Sequence, residues 1–136
     1  MTLKVLDAKS LGIFVPYEIA QILKEKQFDV PCMAIFKGDQ SFNFKYKEQS
    51  PFTNNMHQLK NSFIGKTKCT APTYEQVIGW FENTHNKFIY AFRYGNVWQW
   101  KIDTEHGCDE FSRGEGYNSK QEALDAVLKK ALTLIP

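Results

Sequence analysis

The pattern of apolar and polar positions divides the chain into three helical stretches and several short alternating ones. Ile19, Ala20, Ile22 and Leu23 form an apolar stripe behind Pro16, whose fixed φ suits the first helical position, and this predicts a helix over about 16–27. A second stripe, Tyr74, Val77, Ile78 and Phe81, opens on Thr73-x-x-Gln76, a capping box, and predicts a helix over about 73–84. The third is the strongest: Ala123, Leu124, Val127, Leu128, Ala131, Leu132 and Ile135 follow the box Ser119-x-x-Glu122, predicting a helix over about 119–135.

Period-two alternation marks the strands. Residues 32–47 read as a hairpin turning at Gly38-Asp39, with glycine supplying the positive φ, and with Phe42, Phe44 and Tyr46 inward. Residues 87–94 and 97–103 alternate Phe88, Tyr90, Phe92 and then Trp98, Trp100, Ile102 against more polar neighbours. A two-residue turn at Gly95-Asn96 sets these two groups on opposite faces. An odd-length loop gathers all six on one buried face, and the advantage of one dry face and one wet face favours the odd loop. Residues 108–113 suggest a third, weaker strand with Phe111 inward, followed by a turn at Gly114–Gly116.

Two stretches lack a clear period. Residues 1–15 start with Leu3, Val5 and Leu6, a short strand or an arm, and Gly12 opposes a helix there. Residues 48–72 form a polar connection longer than compact domains usually tolerate, with Phe63 and Ile64 as candidate anchors. The expected architecture is a single α+β domain spanning 1–136. It comprises a helix and hairpin (1–47), the connection (48–72) and a helix–strands–helix unit (73–136). An antiparallel sheet of three to five strands carries the 73–84 and 119–135 helices on one face, and the first helix and hairpin extend or flank it.

Composition narrows the function classes. A 136-residue chain with 43% hydrophobic and 24% charged residues is long enough for a real core. The net charge of +2 implies neither a nucleic acid nor a membrane surface as partner. Its distribution says more. Residues 37–68 carry six lysines against Asp39 and Glu48, whereas residues 103–125 carry seven acids against Arg113 and Lys120. Lys45 and Lys47 on the hairpin, with Lys60, Lys66 and Lys68 on the connection, form the candidate basic interaction surface. Three cysteines without a CxxC pair oppose a disulfide framework and favour a reducing cytoplasm. No apolar run approaches the ~20 residues of a membrane span, and no leader pattern is evident.

Catalytic and cofactor motifs fail their spacing tests. His106 and Cys108 lie close together, but Asp109 and Glu110 beside the thiol oppose the thiolate that a nucleophile needs. A metal drawn from Cys32, Cys69, Cys108, His57, His85 and His106 lacks any short ligand spacing. The glycines at 114 and 116 precede a helix, as a phosphate site requires, yet Glu115 and Glu122 occupy the place of the phosphate. No catalytic residue, cofactor or metal ligand is therefore assigned. The expected partner is a protein, with nucleic acid as the alternative.

Two resemblances accompany this reading. The order helix, strands, helix and the segment GEGYNSKQEALDAVLKKAL resemble the closing part of a double-stranded-RNA-binding domain. In that family lysines at the last helix start contact phosphates. Here only Lys120 matches, followed by Gln121 and Glu122, and Tyr94-Gly95-Asn96 replaces the family's Gly-Pro-x-His loop. That resemblance implies the architecture without the phosphate contacts. PYEIAQILKEKQFDVP, APTYEQVIGWFENTHN and YNSKQEALDAVLKKALTLI resemble a family of small phage and prophage proteins of gut bacteria. This second resemblance implies an α+β fold and a mobile-element origin, with no activity, cofactor or catalytic residue attached.

Overall fold

A computed structural model of the chain describes residues 12–44, 59–114 and 116–136. They form three helices and two three-stranded antiparallel sheets, an α+β arrangement. The order is α1 (Tyr17–Glu25), β1 (Ala34–Phe36), β2 (Phe42–Phe44), β3 (Cys69–Thr70), α2 (Tyr74–His85), β4 (Phe88–Tyr94), β5 (Val97–Thr104), β6 (Gly107–Phe111) and α3 (Lys120–Thr133). The sequence leaves the hairpin to extend or flank the later sheet, and its strands do not join that sheet. They pair with β3 in the order β2-β1-β3, while β4-β5-β6 stands as a sheet of its own. The contacts divide the chain into two compact units, Met1–Gln76 and Val77–Pro136.

In the first unit, Pro16 caps α1 rather than occupying its first turn. The helix ends at Glu25, and Gln27 just beyond its Lys26 cap takes a left-handed φ of 67°. Gln27 N–H then donates to Lys24 O and Phe28 N–H to Leu23 O, so the last carbonyls are satisfied. Leu23 and Phe28, brought together by that turn, are both fully buried. The β1–β2 turn departs from the expectation at Gly38, because the left-handed residue is Gln40 (φ 69°). Gln40 N–H bonds Lys37 O, and Lys37 N–H bonds Ser41 O, closing a three-residue loop. Asp39 accepts from Ser41 N–H (3.0 Å) and from its hydroxyl, which holds the carboxyl below its usual range. Tyr46 lies outside the described residues.

Within 59–72 the structure holds two features that the polar composition concealed. Phe63 is 61% exposed and anchors nothing. The anchor is Asn61, which is buried: its amide donates to Phe28 O at 2.7 Å and its oxygen accepts from Thr70 N–H at 2.9 Å. Thr70 belongs to β3, which pairs with β1 as Ile35↔Thr70 and Phe36↔Cys69. An amide side chain serves here because it donates to one backbone group and accepts from the other at once. Phe14 and Thr73 form an isolated bridge that ties the chain before α1 to the cap of α2.

The Thr73 capping box forms in full and the Ser119 box by half. Thr73 Oγ1 accepts from Gln76 N–H (3.1 Å) while Gln76 Oε1 accepts from Thr73 N–H (3.0 Å). Ser119 Oγ accepts from Glu122 N–H (3.1 Å), but the Glu122 carboxylate takes Asn118 N–H, one residue before the cap. In the second unit α3 lies against β4 and β5. Its buried stripe, Ala123, Leu124, Val127, Leu128, Ala131 and Leu132, packs a layer that includes Ile89, Trp100 and Ile102.

The β4–β5 register overturns the odd-loop expectation. Tyr94 pairs with Val97, Arg93 with Trp98, Ala91 with Trp100 and Ile89 with Ile102. Gly95-Asn96 is a two-residue turn in which Gly95 takes φ 66°, the glycine-first form that suits a twisted hairpin. Phe88, Tyr90, Phe92 and Tyr94 therefore share a face with Gln99 and Lys101 and not with the tryptophans. Phe111, expected inward, is 50% exposed because it pairs with Lys101 on that same outer face. Its neighbour Glu110 pairs with Ile102 and reaches Lys130 of α3 at 3.9 Å.

Two stability predictions follow from these contacts. Asn61→Ala strands a buried carbonyl and a buried N–H, so it costs about 3 kcal/mol, measurable by denaturant titration. His85 is held against Trp80 and Phe81, with ring centroids 4.7 and 5.9 Å away, and its buried Nε2 has no hydrogen-bond partner among the described residues. Desolvation, assisted by Lys87, lowers its pKa below the ordinary 6.5. Above 6.5 the ring is neutral whether folded or unfolded, and the site contributes in full. As pH falls below that value the unfolded chain takes up a proton that the folded site resists, so stability declines. Unfolding midpoints at neutral and mildly acidic pH will separate further in the native chain than in His85→Phe.

Candidate interaction surfaces

Of the five lysines singled out in the sequence, the structure describes Lys60, Lys66 and Lys68. Lys45 and Lys47 lie outside the described residues. Lys60 turns its ammonium over the Phe63 ring, 4.6 Å from the centroid. Lys66 and Lys68 line a shallow groove of about 350 Å³ with Tyr17, Gln21 and Lys24. Lys24 is committed to structure: its ammonium donates to Gly65 O at 2.9 Å and to Lys68 O, bracing α1 against the 65–68 turn. Of the three described, Lys66 and Lys68 stand together with exposed side chains, and two point charges on an open turn hold an anion weakly.

A second surface lies on the outer face of β4-β5-β6. Tyr90, Lys101 and Phe111 form one row across the three strands, with Phe92 beside Gln99 in the next. Tyr90 is 45%, Phe92 36% and Phe111 50% exposed, and Tyr94 extends the same face towards the turn at 70%. The cations lie over the rings. Lys101 Nζ is 5.0 Å from the Tyr90 centroid and 3.2 Å from the Asp103 carboxylate, and Arg113 Cζ is 5.3 Å from the Phe111 centroid. Several rigid aromatic side chains exposed on one flat sheet face, with charge locally compensated, have the composition of a protein contact. Sequence reasoning missed this face by one residue of register. The signal that finds it is the Gly-Asn pair, a two-residue hairpin turn by its own chemistry.

His57 lies outside the described residues, and the three cysteines sit in different environments. Burial pushes Cys32 up to about 12 and Cys69 up to about 11. Cys108 is exposed and donates to Glu110 O at 3.6 Å, while His106 Nε2 is 3.5 Å from the Glu105 carboxylate. Cys108 and His106 are thus each turned to a different neighbour. Among the described residues no group of three His, Cys, Asp or Glu side chains is placed to hold a metal ion. No described helix is long and apolar enough to cross a membrane.

The fold is thus an α+β arrangement in which a three-stranded meander is backed by its closing helix. No family model, curated protein or solved structure matches this chain.

The thiol environments give a direct check. Iodoacetamide at mildly alkaline pH will modify Cys108 at the rate of a free thiol. Cys32 and Cys69 will react only when the chain is unfolded, as peptide mapping will read.

Proposed function

We propose that this protein is a non-catalytic accessory protein that binds another protein through the outer face of β4-β5-β6. The exposed side chains of Tyr90, Phe92 and Phe111 on that face carry this reading. Aromatic side chains supply large contact area at small entropic cost, and they dominate the energetics of protein interfaces. Their resting place on a sheet, rather than on a loop, holds them ready at fixed spacing. A phage or prophage origin, which the sequence resemblance implies, and a bacterial cytoplasmic setting belong to the same proposal. Three free cysteines are consistent with a reducing compartment.

Nucleic acid is the weaker partner for this face. Bases stack on aromatic platforms, but such platforms sit in positively charged grooves. Here Lys101 is neutralised by Asp103. At the start of α3, where a phosphate contact would require cations, the Glu122 carboxylate already accepts Asn118 N–H.

The test compares the native chain with a Tyr90→Ser/Phe92→Ser/Phe111→Ser variant as tagged bait in bacterial lysate. All three side chains are exposed, so the variant retains its fold, which circular dichroism will verify. A protein retained by the native chain, lost with the variant and unaffected by nuclease is the expected result. Capture that is identical for both baits, or that disappears with nuclease or moderate salt, overturns the reading.

A further inference from the structure

β4 is a seven-residue edge strand, Phe-Ile-Tyr-Ala-Phe-Arg-Tyr, without proline, acid or bulge in its pairing with β5. Edges of that length and apolarity are normally shortened, charged or covered, because their free N–H and C=O groups template another strand. The direction of those groups can be worked out. Trp98 exchanges its backbone bonds with Tyr117, at 2.8 and 2.9 Å. Trp100 O accepts Ser112 N–H at 2.9 Å, and Trp100 N–H meets Ser112 Oγ at 3.0 Å. Both tryptophans therefore bond away from β4. In an antiparallel ladder the residues opposite such positions also bond away. Arg93 and Ala91, and by alternation Ile89, turn their backbone groups to the outer edge. Among the described residues no strand pairs with it.

We propose that this edge pairs antiparallel with the β4 of a second copy, about a two-fold axis at Ala91. The strand is self-complementary in that register. Ala91 meets Ala91, and Ile89 meets Arg93, at the hydrogen-bonded positions that the outward groups require. Tyr90 meets Phe92 and Phe88 meets Tyr94 at the non-bonded positions, where side chains approach most closely. The strand's one charge, Arg93, faces Ile89 rather than its own copy, so no like charges oppose. A partner of different sequence has no such feature on this edge to select it. The pairing joins two sheets into one and sets the Tyr90 and Phe92 side chains of both copies side by side. The outer face becomes a continuous aromatic platform to which each copy contributes. This goes beyond the binding role proposed above and holds whichever protein the face takes.

Sedimentation of the full chain over a wide concentration range tests the pairing. The native chain is expected to show a reversible monomer–dimer equilibrium. Ala91→Pro deletes one outward N–H and leaves the β4–β5 ladder bonds intact, so it weakens the dimer at least about tenfold. A second pair of variants keeps the test decisive if the proline disturbs folding. Tyr90→Lys/Phe92→Lys places like charges across the seam and dissociates the dimer. Tyr90→Lys/Phe92→Glu places opposite charges there and restores it, with an affinity that falls as salt rises. A native chain monomeric throughout the range overturns the proposal. So does a dimer indifferent to Ala91→Pro in a folded variant, or a charge-swapped pair that associates no better than the double lysine.

Discussion

The second unit depends on the register fixed by the turn at Gly95-Asn96. Strand side chains alternate faces, so a slip of one residue exchanges every inward residue for an outward one. The two-residue turn sends Ile89, Trp100 and Ile102 under α3 and leaves Tyr90, Phe92 and Tyr94 in solvent. The opposite register would have gathered six large side chains into a layer that α3 already fills with its own stripe. Interiors pack at crystal-like density, so additional rings there mean strain. Gly95 decides the matter locally because it reaches the positive φ of the hairpin turn without steric cost.

The first unit rests on a different kind of restraint. Its strands are short: β3 has two residues and β1 and β2 have three each, which leaves few ladder bonds. Side chains supply the missing partners. Asn61 joins Phe28 to Thr70, Asp29 accepts Ser62 N–H at 2.7 Å, and Lys24 braces the 65–68 turn. Each of these closes a backbone group that secondary structure leaves open. Such polar links explain why a stretch rich in Asn, Ser and Lys folds back on the sheet without an apolar anchor.

What could be read from the sequence follows from this contrast. Helices announce themselves through local chemistry, and the boxes at Thr73 and Ser119 and the α3 stripe were legible residue by residue. The hairpin strands were legible as segments, but their pairing was not, because burial pattern and turn chemistry argued for opposite registers. The Asn61 clamp was invisible, since its partners lie 33 and 9 residues away and composition records only a polar loop. The basic surface was drawn from a run of lysines. Of these, Lys60 lies over the Phe63 ring and Lys66 and Lys68 share a groove with Lys24, while Lys45 and Lys47 fall outside the described residues.

One turn sets both of the surface features that matter. A two-residue loop makes Tyr94–Val97 the closing hydrogen-bonded pair, which in turn directs the N–H and C=O groups of Ala91 and Arg93 outward. A loop one residue longer would have buried the aromatic rings and, by the same alternation, offered the edge bonds of Tyr90 and Phe92 instead. An exposed aromatic face and an outward-bonding edge centred on Ala91 are therefore two consequences of a single geometric choice. The register is nonetheless the one that packing selects, because the alternative crowds the layer under α3 and leaves an outward-bonding edge on β4 all the same.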